Sequence, residues 1–91
     1  MAKINDKLYF RFRAPKAHET LSCMIKAEDI EIDESNCWRC HNVIVDNLNY
    51  EVTAWGDLDG QNNPTTENMS AQVDYFSGAF DYVKEIEIIN E

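Results

Sequence analysis

The sequence predicts an α+β fold: a small antiparallel β-sheet of four to five strands with one α-helix packed on one face. Three observations carry that expectation. Apolar residues alternate with polar ones through most of the chain, which is the period of half-buried strands. A helical period occurs once, where Met69, Val73, Phe76 and Phe80 fall on one face. Residues that favour turns gather between these stretches, and a helix on one face of an antiparallel sheet is an economical way to bury both.

Taken in order, Leu8, Phe10 and Phe12 alternate with Tyr9, Arg11 and Arg13, and Pro15 ends this first strand. Leu21, Cys23 and Ile25 alternate with Ser22, Met24 and Lys26 in a second. The run from Glu28 to Glu34 places Ile30 and Ile32 on one face and Glu31 and Asp33 on the other. It reads as a short strand, or as the second strand continued past a bulge. Val43–Val45 and Tyr50–Trp55 read as a hairpin joined by Asp46-Asn-Leu-Asn49. The stretch from Asp57 to Pro64 is a loop. A helix of about three turns follows, capped by Thr65 or Thr66 and ended by Gly78, although Ala71, Val73 and Tyr75 also alternate as a strand would. A last strand, Val83 to Ile89, turns Ile86 and Ile88 inward.

The 91 residues suffice for one domain, without repeats or low-complexity segments. Charge is sorted along the chain. Residues 1–26 hold six of the eight basic residues and only Asp6 and Glu19 as acids. Residues 27–91 hold fifteen acids against Arg39 and Lys84, and the net charge is −9. A carboxylate surface of this kind repels nucleic acid and anionic membrane and draws basic protein surfaces. Direct binding to either of those is therefore not expected. Tyr9, Arg11 and Arg13 share a face, but in so negative a field their simpler role is pairing with acids on neighbouring strands.

No apolar run is long enough to span a bilayer, and the first residues lack a signal-peptide core, so a cytoplasmic location in a bacterial or host cell is expected. Three cysteines in a reducing compartment argue against a disulfide scaffold. Cys37-Trp-Arg-Cys-His41 has the spacing of covalent haem attachment, without the helices or export route that chemistry uses. His18, Cys23, Cys37 and Cys40 form a candidate structural zinc set, with His41 able to replace His18. Otherwise no cofactor is expected.

The loop from Asp57 fails as a calcium EF-hand, because Asn62 and Asn68 stand where glycine and a bidentate glutamate are needed. There is no glycine-rich phosphate loop. No carboxylate pair is marked for acid–base work, so catalysis is not expected.

These exclusions leave a non-catalytic binding protein or inhibitor that docks a carboxylate-rich face on a basic, nucleic-acid-binding surface of a partner protein or complex, in the manner of a DNA mimic. Small inhibitors encoded by phages and mobile elements, anti-CRISPR and anti-restriction proteins among them, are similar in size and acidity, a likeness of composition that no motif carries. The candidate docking residues are Glu28, Asp29, Glu31, Asp33, Glu34, Asp57, Asp59, Glu67 and Asp74, with Trp38, Trp55 or Tyr75 as aromatic anchors. The alternative is a small zinc-stabilised structural module of a larger assembly. A homodimer through an open sheet edge is compatible with either.

Overall fold

In the computed structural model, which describes residues 3–46 and 50–90, the chain forms two antiparallel β-sheets. Nine strands follow in order: β1 (Lys7–Ala14), β2 (Glu19–Lys26), β3 (Glu31–Ile32), β4 (Cys37–Cys40), β5 (Ile44–Val45), β6 (Tyr50–Asp57), β7 (Ser70–Tyr75), β8 (Phe80–Val83) and β9 (Ile86–Ile88). A four-stranded sheet has the order β5-β2-β1-β9, and a five-stranded sheet has the order β3-β4-β6-β7-β8.

The fold is therefore mostly β, and the expected α+β class is corrected. Among the described residues the only helical segments are single 3₁₀ turns at Pro15–Ala17 and Ala27–Asp29. The same residues include no helix long and apolar enough to cross a membrane.

The segment expected to be helical is β7, flanked by loop and turn. Ala71 and Val73 are fully buried, whereas Phe76 is 83% exposed and Phe80 50% exposed. Of the four residues of the helical stripe, two thus face water. Period 2 prevailed because β7 lies between β6 and β8 and its backbone is bonded on both sides. Asn68, Ser70 and Asp74 also add little to a helix, since their side chains compete for backbone hydrogen bonds. Thr65, expected as a helix cap, is fully buried, and its hydroxyl donates to the Asp57 carbonyl at 2.9 Å.

Strand period follows the sequence closely in β1 and β2. Leu8, Phe10, Phe12 and Ala14 are buried from β1, and Leu21, Cys23 and Ile25 from β2. Pro15 closes β1 and opens the 3₁₀ turn; His18, with φ 55°, then reverses the chain. From the other sheet, Trp38, Cys40, Val52, Ala54, Ala71, Val73 and Val83 join the same core. Two sheets sharing one apolar layer make a β-sandwich.

The chain crosses between sheets repeatedly, and the expected hairpin is corrected for that reason. Ile44–Val45 pairs with β2, while β6 pairs with β4 and β7. One backbone bond, from the Val43 N–H to the Val52 carbonyl at 3.0 Å, links the two stretches. Residues 47–49 of the expected turn lie outside the described residues. The expected last strand, Val83 to Ile89, is likewise corrected: Val83 ends β8 in the five-stranded sheet, and only Ile86–Ile88 forms a strand of its own, beside β1 in the other. Ile86 and Ile88 pack against the core as expected, but Ile32 is 54% exposed beside a half-buried Ile30.

Candidate docking surface

Strand β6 organises the outer face of the five-stranded sheet. Val52, Ala54 and Gly56 turn into the core, so Glu51, Thr53, Trp55 and Asp57 turn out. Register then assembles rows across the strands, because directly opposed residues share a face. Cys37 stands opposite Asp57. Glu31, Arg39, Trp55 and Ser70 form the next row, then Thr53, Gln72 and Tyr82, and finally Glu51, Asp74 and Phe80. An open groove of about 440 Å³ runs over the middle, lined by Arg39, His41, Thr53, Trp55, Gln72 and Tyr82. The rings of Trp55 and Tyr82 meet there with centroids 5.3 Å apart.

Carboxylates distant in sequence gather at one end and edge of this sheet. Glu28 and Asp29 sit in the 3₁₀ turn before β3, and Glu31 opposes Arg39. Asp33 and Glu34 lie in the β3–β4 turn, where the Asp33 N–H donates to the Cys37 carbonyl at 2.9 Å. Cys37 faces Asp57, whose N–H donates to the Glu67 carbonyl at 3.1 Å. Glu31, Asp33, Glu34, Asp57 and Glu67 thus border one region, whereas Asp29 lies towards Cys40 at the other end of β4 and Glu28 lines a separate groove with Asp6, Lys7 and Lys26. The Asp33 carboxylate accepts from the Ser35 hydroxyl and N–H and from the Cys37 N–H. Those bonds, the Ser35 hydroxyl first, hold it below its ordinary pKa.

Two more predicted residues stand apart from that group. Asp59 is turned into its own loop, accepting the N–H groups of Gln61 at 2.8 Å and Asn63 at 2.9 Å, with Lys3 at 4.0 Å. These backbone donors lower its pKa. Asp74 lies at the opposite end of β7, directly across from Glu51. Glu51, which composition did not single out, is exposed and sits on the outward phase of the Tyr50–Trp55 alternation. That phase is the signal that marks it.

Of the aromatic anchors, Trp55 is half-buried on the groove. Trp38 is wholly inside the core, and its indole N–H donates to the Thr65 carbonyl at 2.7 Å. Tyr75 is engaged between the sheets. Its hydroxyl donates to the buried carboxylate of Asp81, which also accepts the Lys16 N–H at 2.9 Å. Tyr75 packs edge-on against Tyr50, whose hydroxyl donates to Glu19 at 3.1 Å.

The zinc set does not converge. Cys37 and Cys40 lie on a strand, and an odd separation sends them to opposite faces: Cys37 out beside Asp57, Cys40 into the core. A zinc knuckle needs a tight turn between such cysteines. Cys23 is buried in the other sheet between Phe10 and Val45, and His18 is a turn residue of the β1–β2 connection. His41 adjoins Cys40 but lines the outer groove. Among the described residues no group of three or more histidines, cysteines and carboxylates is placed to hold a metal ion. Burial raises the Cys23 thiol to about 12 and the Cys40 thiol to about 11, so neither is a ready thiolate at neutral pH.

Of the two arginines of β1, Arg11 behaves as the expected cross-strand partner, while Arg13 stands opposite Thr20. Arg11 grips Glu87 of β9 with two bonds of 2.6 and 2.9 Å.

The fold is that of a small two-sheet antiparallel β-sandwich with an acidic end and an aromatic groove on its larger sheet. Compared with protein-family models, curated proteins and solved structures, the chain matches none.

Proposed function

We propose that this is a non-catalytic cytoplasmic binding protein that docks its acidic end on a basic, nucleic-acid-binding surface of a partner protein. The observation that carries this reading is the gathering of Glu31, Asp33, Glu34, Asp57 and Glu67 around β3 and the β3–β4 turn, in a chain of net charge −9. Concentrating like charge there costs stability through self-repulsion, and a basic partner relieves that cost. Function is competition: the negative field steers encounter, and the bound protein occupies the surface that nucleic acid would use.

The test is affinity capture from cell lysate, challenged with duplex DNA and repeated with the triple variant Glu31→Lys, Asp33→Lys, Glu34→Lys. Glu31 and Glu34 are exposed, whereas Asp33 is half-buried and its carboxylate accepts three bonds within the turn, so the emission of the buried Trp38 is read alongside to show that the variant keeps its fold. Nucleic-acid-binding proteins that DNA releases, and that the triple variant no longer retains, support the reading. Partners that DNA cannot displace, or capture undiminished by the triple variant, overturn it.

A further inference from the structure

We propose that the outer face of the five-stranded sheet seats arginine side chains of the partner, with Trp55 and Tyr82 as the stacking surface and Glu51 and Asp74 as the carboxylates that receive the guanidinium. This rests on the docking reading above and extends it along the sheet: Trp55 shares a row with Glu31, and Glu51 lies four positions further along β6, roughly 13 Å at about 3.3 Å each.

Two independent features point to a cationic, flat occupant. The first is aromatic. Tyr82 is 55% exposed and Phe80 50% exposed, on the same face as the half-buried Trp55. Within the molecule these rings already attract cations: the Lys84 ammonium lies 6.0 Å from the Tyr82 centroid, the Lys16 ammonium lies 5.5 Å from that of Phe80, and Arg39 stands directly opposite Trp55 on the groove. The second is electrostatic. Glu51 and Asp74 are directly opposed across β6 and β7, an arrangement of like charges that weakens a sheet. Asp74 accepts the Gln72 amide at 3.1 and 3.3 Å, and among the described residues neither acid has a cation within salt-bridge distance.

Arginine satisfies both features at once. Its planar guanidinium stacks on a ring face while its forked donors reach a carboxylate, whereas a lysine ammonium is a strongly hydrated point charge. A nucleobase would also stack, and Arg39 lines the groove, but the phosphates would meet Glu51 and Asp74 at its margin in the field of a chain of net charge −9. Aromatic centre and charged margin together give the anatomy of an interface core with its rim.

The experiment titrates the full chain with an octa-arginine and an octa-lysine peptide, read by tryptophan emission and by calorimetry. Trp38 is fully buried and reports the fold; Trp55 reports the groove. Octa-arginine is expected to bind more tightly than octa-lysine and to change Trp55 emission. Trp55→Ala and Tyr82→Ala should each weaken octa-arginine by about tenfold and erase its preference. Glu31→Lys with Asp33→Lys and Glu34→Lys should weaken both peptides alike and keep the preference.

Equal binding of the two peptides, or full octa-arginine affinity in Trp55→Ala with Trp38 emission intact, overturns the inference and leaves docking by the acidic end standing. Tight binding of a single-stranded oligonucleotide, or self-association in sedimentation that Trp55→Ala abolishes, overturns it by naming another occupant. The reverse result, arginine preference intact while lysate capture ignores the triple variant, overturns only the broader docking reading.

Discussion

Trp38 fills the space in front of Gly56. The two residues are directly opposed across β4 and β6, and a Cβ built on Gly56 would lie 2.8 Å from the indole Nε1 and 3.0 Å from Cε2. The indole is pinned there by its bond to the Thr65 carbonyl, so it cannot swing aside without leaving a buried N–H unpaired. A glycine in mid-strand thus admits the largest side chain of the core.

Gly56→Ala should therefore destabilise the fold. Overpacking costs about 1–3 kcal/mol, offset by roughly 0.5 kcal/mol from the stiffer unfolded chain. Urea denaturation measures the loss. In a double-mutant cycle with Trp38→Phe, the two losses should add to less than their sum, because the smaller ring vacates the contact. Strict additivity would show that the clash is not what makes glycine necessary.

Residues 70–80 offer a test of strand against helix. Phe76→Ser, at an 83% exposed position, should leave stability within about 0.5 kcal/mol of the parent. Val73→Ala, at a fully buried one, should cost about 2–3 kcal/mol. Similar losses at both positions would instead mean that they share one buried face.

Stability should fall on the alkaline side. Burial raises the thiols of Cys23 and Cys40 from 9.0 to about 12 and about 11. Burial, followed by the bond to Asp81, raises the Tyr75 hydroxyl above its ordinary 10.0. A group whose folded pKa is raised stays protonated in the native state after its unfolded counterpart has ionised. Its contribution is complete below the unfolded value and is lost as pH climbs towards the folded one. The expected window opens near pH 9 and extends to about pH 12. Urea midpoints measured across it should decline, and Tyr75→Phe should decline less steeply above about pH 10. A flat profile would show that these groups ionise alike in both states.

Alkylation should distinguish the three cysteines. Cys37 is half-buried on the outer face, and Cys23 and Cys40 are buried. Mass spectrometry of the native protein at neutral pH should find Cys37 modified first, with all three labelled only in denaturant. Because Cys37 and Cys40 point to opposite faces of β4, dialysis against a chelator should leave the melting temperature unchanged. A fall in melting temperature would mean that the cysteines meet through a metal.

Legibility in the sequence followed how local each determinant was. In β1, the alternation of Phe10 and Phe12 with Arg11 and Arg13 named the buried face, and Arg11 found a cross-strand acid in Glu87. Met69, Val73, Phe76 and Phe80 misled because three-and-four spacing and alternation both fit a stretch this short, and only flanking strands decide between them. Cys37 and Cys40 misled for a related reason. Two intervening residues bring thiols together in a turn and separate them in a strand. Asp59 and Glu34 look equally available as letters, yet Asp59 closes its own loop while Glu34 is exposed.

By itself the sequence determined the inward and outward phase of its long strands and the segregation of charge into a basic beginning and an acidic remainder, since both depend on neighbours a few residues apart. Tertiary structure alone decided that Ile44–Val45 leaves β6 for the other sheet, that β8 and β9 part company, and that Glu51, Asp74, Trp55 and Tyr82 share one face. Those outcomes rest on which strand edge each segment meets. Backbone pairing is satisfied equally by any edge, so the choice falls to burial of the shared core, a property of the assembled chain.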